Sequence, residues 1–354
     1  VKALVFNGPG LKSWSDVPMP TVLEPSDAVI KVDLTTICDS DLRILRGDVP
    51  AVAAGRILGH EAIGTVTEIG SRVRRVAVGD RVLVSCISVC GTCQSCQRYH
   101  AGQCSGGGGW ILGHLIDGTH AEYVRVPFAD TSTYAIPEGV SDERMLMIAD
   151  ILPTAYEAGV LSGTVHPLDV VAVIGAGPVG IAVIAIAKLL SPQSIIAIDV
   201  DDNRLTMAKA FGADVTINSS VSSPLQEVQR VTNGDGVHVV IETVGSDEMF
   251  QLATTLVRPV GHLAKISSHG SPTPVRSDNY WNRDIRVTTG LVDAFPTPTL
   301  IRLVSSDQIP AHELVTHRFV WDDMLKAYDT FDNANLHRAL KVAIGGATSA
   351  RASV

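Results

Sequence analysis

Val170-Val171-Ala172-Val173-Ile174-Gly175-Ala176-Gly177-Pro178-Val179-Gly180 is the stretch on which the reading of the fold turns. Its first five residues are apolar and read as a buried strand. A glycine-rich turn follows, and Val179–Leu190 reads as a helix, the context in which such a turn carries meaning. Gly175 permits the tight turn, Gly177 lets a pyrophosphate approach the backbone, and Gly180 lets helix and strand pack closely. Pro178 and Val179 open the helix, whose first N–H groups lack partners and so suit an anion. From Val170 to Ala187 no residue is charged, a length that raises the question of a membrane span. The three glycines and Pro178 in its middle argue instead for strand, turn and buried helix.

Beyond this stretch the same rhythm continues. Ile195–Asp199, Val215–Ile217, Val237–Glu242 and Gly261–Ile266 read as strands; Asn203–Phe211, Leu225–Val231 and Glu248–Leu256 read as helices, the first of them stopped by Gly212. Alternation of this kind predicts a doubly wound parallel sheet. The first 150 residues differ: Val1–Phe6, Ala28–Leu34, Gly64–Ile69, Arg81–Ser85 and Ala121–Val126 read as short strands separated by Gly and Pro, an irregular β-rich domain. After about residue 290 the alternation ends. A helix near Trp321–Phe331 and a strand near Ala339–Ile344 are expected to return to the first domain, and residues 347–354 read as a disordered or interface-forming tail. The expected division is a catalytic domain of residues 1–152 and 291–354 and a cofactor domain of residues 153–290.

At 354 residues the chain is long enough for two cores, and its 45% hydrophobic and 18% charged residues are an ordinary globular balance. A net charge of −9 with no basic stretch argues against nucleic acid as a partner. All six cysteines fall between positions 38 and 104 of a long chain without an apolar leader, which argues against a secreted disulfide scaffold. Thiol ligands in a reducing, cytoplasmic compartment are the expectation.

Two metal sites are expected. Cys90, Cys93, Cys96 and Cys104 have the spacing of a closed structural zinc site, with no open position for chemistry. Four unrelated thiols and an iron–sulfur cluster are the alternatives. Cys86 lies outside that spacing and reads as a buried strand thiol. A reactive zinc needs about three protein ligands and one free position. Cys38 and His60 supply two, and Asp150, a carboxylate in an apolar run, is the candidate third, with a helix cap or a salt-bridged core residue as the alternative. Glu61 either ligates transiently or stands behind the ligands. Zinc there would polarise an alcohol oxygen, and Ser40 is placed to pass on the proton, unless it serves only a turn. Asp199, 24 residues after Gly175, suits the ribose hydroxyls of NAD and would repel a 2′-phosphate, so NAD(H) is favoured over NADP(H). Arg204 nearby either accommodates a 2′-phosphate or is a solvated helix residue.

Together these residues resemble the zinc-containing medium-chain alcohol dehydrogenases over nearly the whole chain. Gly59-His60-Glu61-x2-Gly64-x5-Gly70-x2-Val73 looks like that family's zinc signature, and Gly79-Asp80-Arg81-Val82 and the four-cysteine lobe also fit. A Cys2His catalytic zinc is the familiar arrangement in alcohol dehydrogenase. Asp at position 150 is instead similar to bacterial secondary-alcohol dehydrogenases, as are Trp110 and Asp117-Gly118-x2-Ala121-Glu122-Tyr123.

The resemblance implies a GroES-like β-rich catalytic domain beside a Rossmann cofactor domain, two zinc ions per chain, and a homo-oligomer, with a tetramer favoured. It implies that Trp110 lines a pocket for small secondary alcohols and ketones, that Thr154 lies near the nicotinamide, and that Lys341 reaches the pyrophosphate. Arg43 stands where relatives often carry a relay His, so the proton route beyond Ser40 is not implied. The expected activity is reversible hydride transfer between a secondary alcohol or its ketone and NAD. A polyol or primary alcohol dehydrogenase, and a non-catalytic dinucleotide-binding protein with structural zinc only, are the alternatives.

Overall fold

The computed structural model describes residues 1–266, 274–275, 278 and 280–346; the tail at 347–354 lies outside them. The chain forms two compact units, Ile151–Val292 and the rest.

Ile151–Val292 is built on a six-stranded sheet in the order Val215–Asn218, Ser194–Asp199, Val170–Ile174, Val237–Glu242, Val257–Lys265, Arg286–Thr289. Every neighbouring pair is parallel. The order runs outward from Val170–Ile174 in one direction and then the other, so the chain reverses beside that strand, where α/β sheets bind ligands. All five residues of Val170–Ile174 are buried, as are Gly180–Ala187 of the helix Pro178–Lys188. The uncharged run is thus a buried strand and helix, and no helix among the described residues is long and apolar enough to cross a membrane. Asp201 caps the helix Asp202–Ala210, and Gly212, at φ +118°, ends it.

The other unit is β-rich. Its seven-stranded sheet runs Val315–Val320, Lys341–Gly345, Ala28–Thr36, Ala62–Ile69, Arg81–Val84, Thr133–Ala135, with Tyr123–Val126 also paired to Ala28–Thr36. Leu11–Asp16, Lys2–Gly8 and Arg56–Ile57 make a smaller sheet. The C-terminal segment returns here: Lys341–Gly345 pairs antiparallel with Ala28–Thr36, matching Ala343 to Thr36. This is the GroES-like domain, and the parallel unit is the Rossmann domain.

The tail carries more than the one helix expected of it, because Thr297–Ser305 is also helical and Val315–Val320 is a strand. Leu11–Asp16 escaped sequence reading because it is a half-exposed hairpin arm whose polar residues show no buried face.

Gly180 carries a test of this packing. A Cβ there would lie 1.8 Å from the Gly175 carbonyl oxygen, which is backbone and cannot yield cheaply. Gly180→Ala is expected to cost about 1–3 kcal/mol, seen as a lower melting temperature; an unchanged melting temperature would contradict the close contact.

Candidate metal centre and dinucleotide turn

The metal cluster begins with a helix start. Cys38 immediately precedes the helix Asp39–Arg46, and its backbone N–H donates to Asp41 Oδ2 at 2.9 Å. The other oxygen, Asp41 Oδ1, accepts from the Gly59 N–H at 3.1 Å and lies 3.9 Å from His60 Nδ1. One buried carboxylate therefore ties the segment bearing Cys38 to the segment bearing His60. Gly59 is required where it stands: its φ is +91°, and a Cβ would lie 2.4 Å from the His120 ring. His120 is fixed in turn, with Nε2 3.0 Å from the Thr36 carbonyl oxygen and Nδ1 2.8 Å from the Tyr328 hydroxyl. The Thr35 and Thr119 hydroxyls both donate to the Glu61 carbonyl oxygen, at 2.7 and 3.1 Å.

These anchors bring Cys38, His60, Glu61 and Asp150 together, with one ligand atom of each within 4.8 Å of all the others. Asp150 Oδ2 lies 3.3 Å from His60 Nε2 and 3.6 Å from Cys38 Sγ. Burial pushes the Cys38 thiol up. Burial alone would lower His60, but hydrogen bonds to Asp150 and Cys38 outweigh it and hold the imidazole well above its ordinary value. The Glu61 carboxyl is pushed up to about 7 by burial, despite the opposing Lys341 charge. A thiol, an imidazole and two carboxylates whose ligand atoms converge in this way form a set that a metal ion could join. Glu61 Oε2 is buried without a hydrogen-bond partner, as is Ser40 Oγ. The donor set of a thiol, an imidazole and carboxylates fits zinc.

Lys341 has partners that its position in the sequence does not reveal. Its side chain is 1% exposed. Its ammonium donates to Glu61 Oε1 at 2.7 Å and to the Ile37 carbonyl oxygen at 2.9 Å. The strand pairing of Lys341–Gly345 with Ala28–Thr36 delivers it there, and burying an ammonium requires such partners. Trp110 stands edge-on to His60 with ring centroids 6.1 Å apart, and stacks on His114 at 4.4 Å.

Cys90, Cys93, Cys96 and Cys104 form a second group with ligand atoms within 4.8 Å of one another. No disulfide joins them. Cys93 heads the short helix Gln94–Gln97, and its sulfur accepts from the Cys96 N–H. That backbone hydrogen bond leads the causes that draw the Cys93 thiol down to about 5, the behaviour of a thiolate ligand.

In the Rossmann domain, Gly175 has φ +94° and Gly177 precedes the helix that Pro178 and Val179 open. Asp199 locks this turn. Its Oδ2 accepts from the Ala176 N–H at 2.6 Å, and its Oδ1 from the N–H groups of Val200 and Asp201 at 2.8 and 3.0 Å. Arg204 lies in the first turn of the next helix, its N–H tied to Asp201. Thr154 ends the short helix Ile151–Thr154.

Sequence reading missed Asp41, His120 and the partner of Lys341. Asp41 looks like an ordinary acid in a first helical turn, and nothing local marks its bond to Gly59.

A Rossmann domain with a glycine-rich turn, joined in one chain to a GroES-like domain holding a thiol–imidazole–carboxylate cluster, is the domain pair of the zinc-type dehydrogenases. Residues 24–138 match the alcohol dehydrogenase GroES-like domain family, and residues 178–305 match the zinc-binding dehydrogenase family. An alcohol dehydrogenase of Cupriavidus necator is 34% identical over 97% of this chain and 98% of its own. The structure of a zinc-dependent alcohol dehydrogenase 2 from Streptococcus pneumonia superposes with a TM-score of 0.94 at 43% identity, covering 98% of each chain. The alcohol dehydrogenase TADH from Thermus sp. ATN1 gives 0.88 at 33%, covering 98% of this chain and 100% of its own. The chain belongs to the zinc-containing medium-chain alcohol dehydrogenase family.

His120 gives the site a pH signature. Burial pushes its pKa below 6.5, so the folded state favours neutral imidazole. A depressed histidine contributes stability above its unfolded pKa, and that contribution is lost as pH falls. The melting-temperature advantage of the wild type over His120→Gln should therefore shrink between pH 7.5 and 5. An advantage independent of pH would show that His120 is not held neutral.

Proposed function

We propose that this protein is a zinc-dependent, NAD-linked dehydrogenase that interconverts secondary alcohols and ketones. The observation that carries this reading is the convergence of Cys38, His60 and Asp150 beside the unpartnered Glu61 Oε2. Cys38, His60 and Asp150 would hold the ion, with Glu61 behind them. A zinc ion held there supplies Lewis acidity to a substrate oxygen, which lowers the alcohol pKa. Cys90, Cys93, Cys96 and Cys104 would hold a second zinc with no chemical part.

The chain's own residues do the remainder. Lys341 balances Glu61, so that the acidic group can lie beside the ligands without repelling the thiolate. Ser40 Oγ, buried and unpartnered, relays the alcohol proton, accepting it as its own hydroxyl proton is passed on toward solvent. Trp110, edge-on to His60, bounds the space for the substrate carbon chain. The turn Gly175–Gly180 and the N–H groups behind Pro178 receive the pyrophosphate. Asp199, buried but held at the turn by three N–H groups, presents its remaining lone pairs to the ribose. That favours NAD, because a 2′-phosphate would meet a carboxylate. Overall the alcohol loses a hydride from its carbinol carbon to NAD⁺ and a proton through Ser40, giving ketone and NADH.

A reducing, cytoplasmic setting suits six free thiols, and a homotetramer follows from the family resemblance. The test is zinc content per chain together with NADH formation from propan-2-ol, ethanol and sorbitol, before and after chelation. The expected outcome is two zinc ions, fastest turnover of propan-2-ol, and activity lost as the accessible zinc is stripped. Preference for sorbitol or ethanol would move the substrate class. One chelator-resistant zinc without turnover would overturn the enzymatic reading.

A further inference from the structure

His120 stands outside both groups of four donors, yet it touches both of the segments that carry Cys38 and His60. Its backbone N–H donates to the Leu58 carbonyl oxygen at 2.9 Å, two residues before His60. Its ring lies so close to Gly59 that a Cβ there would come within 2.4 Å of it. The ring's Nε2 is 3.0 Å from the Thr36 carbonyl oxygen, two residues before Cys38. Thr119, one residue earlier, adds to the grip: its N–H donates to the Gly59 carbonyl oxygen at 2.9 Å, and its hydroxyl to that of Glu61 at 3.1 Å. His120 is fully buried, so water does not compete for these contacts.

The Thr36 carbonyl can only accept, so Nε2 carries the hydrogen. Nδ1 of the neutral ring is then an acceptor, and the Tyr328 hydroxyl stands 2.8 Å from it. Tyr328 is a buried residue of the helix Met324–Asp332. By donating to Nδ1, its hydroxyl selects the tautomer that bonds Thr36. The other tautomer would set a bare nitrogen against the carbonyl oxygen and leave both unpaired.

We propose that His120 is a positioning residue for the metal centre, a brace holding the segment Thr36–Cys38 against the segment Gly59–Glu61, with the Tyr328 hydroxyl keeping it in the bonding tautomer. Asp41 ties the same two segments at the N–H groups of Cys38 and Gly59. A single tie leaves the segments free to pivot about it. A second tie at a different point, from Thr36 to the face of Gly59, fixes their angle as well as their separation. Ligands must be held to a narrow range of both.

The inference rests on the zinc reading of the Cys38 cluster, and the experiment separates the two. Zinc affinity of the full chain is measured by competition with a chromophoric chelator for wild type, Tyr328→Phe, His120→Phe and His120→Gln, together with the visible spectrum of each cobalt-substituted protein. The zinc of the four-cysteine lobe serves as the internal reference. His120→Phe keeps a ring against Gly59 but loses the Thr36 bond, and should weaken the accessible zinc about 10-fold and shift the cobalt bands. His120→Gln keeps an N–H donor for Thr36 and should recover most of that loss. Tyr328→Phe removes one hydroxyl and leaves Nδ1 unpaired, and should weaken the zinc in the same direction. If His120→Phe or Tyr328→Phe binds zinc as the wild type does, whatever its melting temperature, the proposal fails while the zinc reading stands. Equal weakening in His120→Phe and His120→Gln would show that the Thr36 bond is not the cause and also overturn it. If the wild type binds a single zinc, the proposal falls together with the zinc reading.

Discussion

The whole cluster depends on Asp41. A carboxylate with no exposure, in direct contact with two backbone N–H groups, is held by hydrogen bonds that water cannot replace. Those two N–H groups belong to Cys38 and Gly59, so the start of one helix and the approach to one strand are fixed relative to each other. Cys38 and His60 inherit that relation. Asp41 Oδ1 also faces His60 Nδ1 at 3.9 Å, on the side of the ring away from Asp150. The imidazole is thereby set between two carboxylates, and the nitrogen turned toward Cys38 and Asp150 is Nε2. Orientation by an outer carboxylate is the usual way a histidine ligand is aimed.

Charge is arranged with the same economy. The cluster gathers Cys38, Glu61, Asp150 and Asp41 around one imidazole and one ammonium. Burial lowers Lys341, and the pairing with Glu61 more than restores it. The carboxyl partner nonetheless lies high, at about 7, because burial takes more from Glu61 than Lys341 returns. Glu61 is therefore only half neutralised: Oε1 is engaged and Oε2 is not. The free Oε2 is the geometric feature that leaves Glu61 able to answer a further cation.

What could be read in the sequence was what is local. The turn Gly175–Gly180 and the strand before it are contiguous, and strand, turn and helix each leave a pattern within a few residues. The thiols from Cys90 to Cys104 are likewise carried by one short loop. Asp150 was reachable only as an oddity, a carboxylate in an apolar run, because its neighbours Cys38 and His60 lie 112 and 90 residues away. Lys341 shows the limit. It looks like a lysine at the start of a late strand, and nothing in its surroundings reveals that the strand pairs beside Ile37 and buries the ammonium on Glu61. Leu11–Asp16 failed for the opposite reason: a half-exposed hairpin arm has no buried face to leave a period.

The two thiol-bearing groups differ in a way that separates their chemistry. In the lobe, four thiols alone face one centre and lower-lying thiols such as Cys93 are stabilised by backbone N–H groups, so a metal there is enclosed by strong donors of one kind. In the other group the donors are mixed, and the hard carboxylate of Asp150 stands where a further thiolate would place more charge on the ion. A less neutralised zinc is a stronger Lewis acid. Around it lie an aromatic wall at Trp110 and an unpartnered hydroxyl at Ser40. In the lobe, Gly106 and Gly108 let the loop close tightly on the thiols: a Cβ added to Gly106 would lie 2.5 Å from the Cys90 sulfur. Donor type thus gives a physical ground for the proposed division, in which Cys38, His60 and Asp150 would carry the reactive ion and the four thiols the structural one.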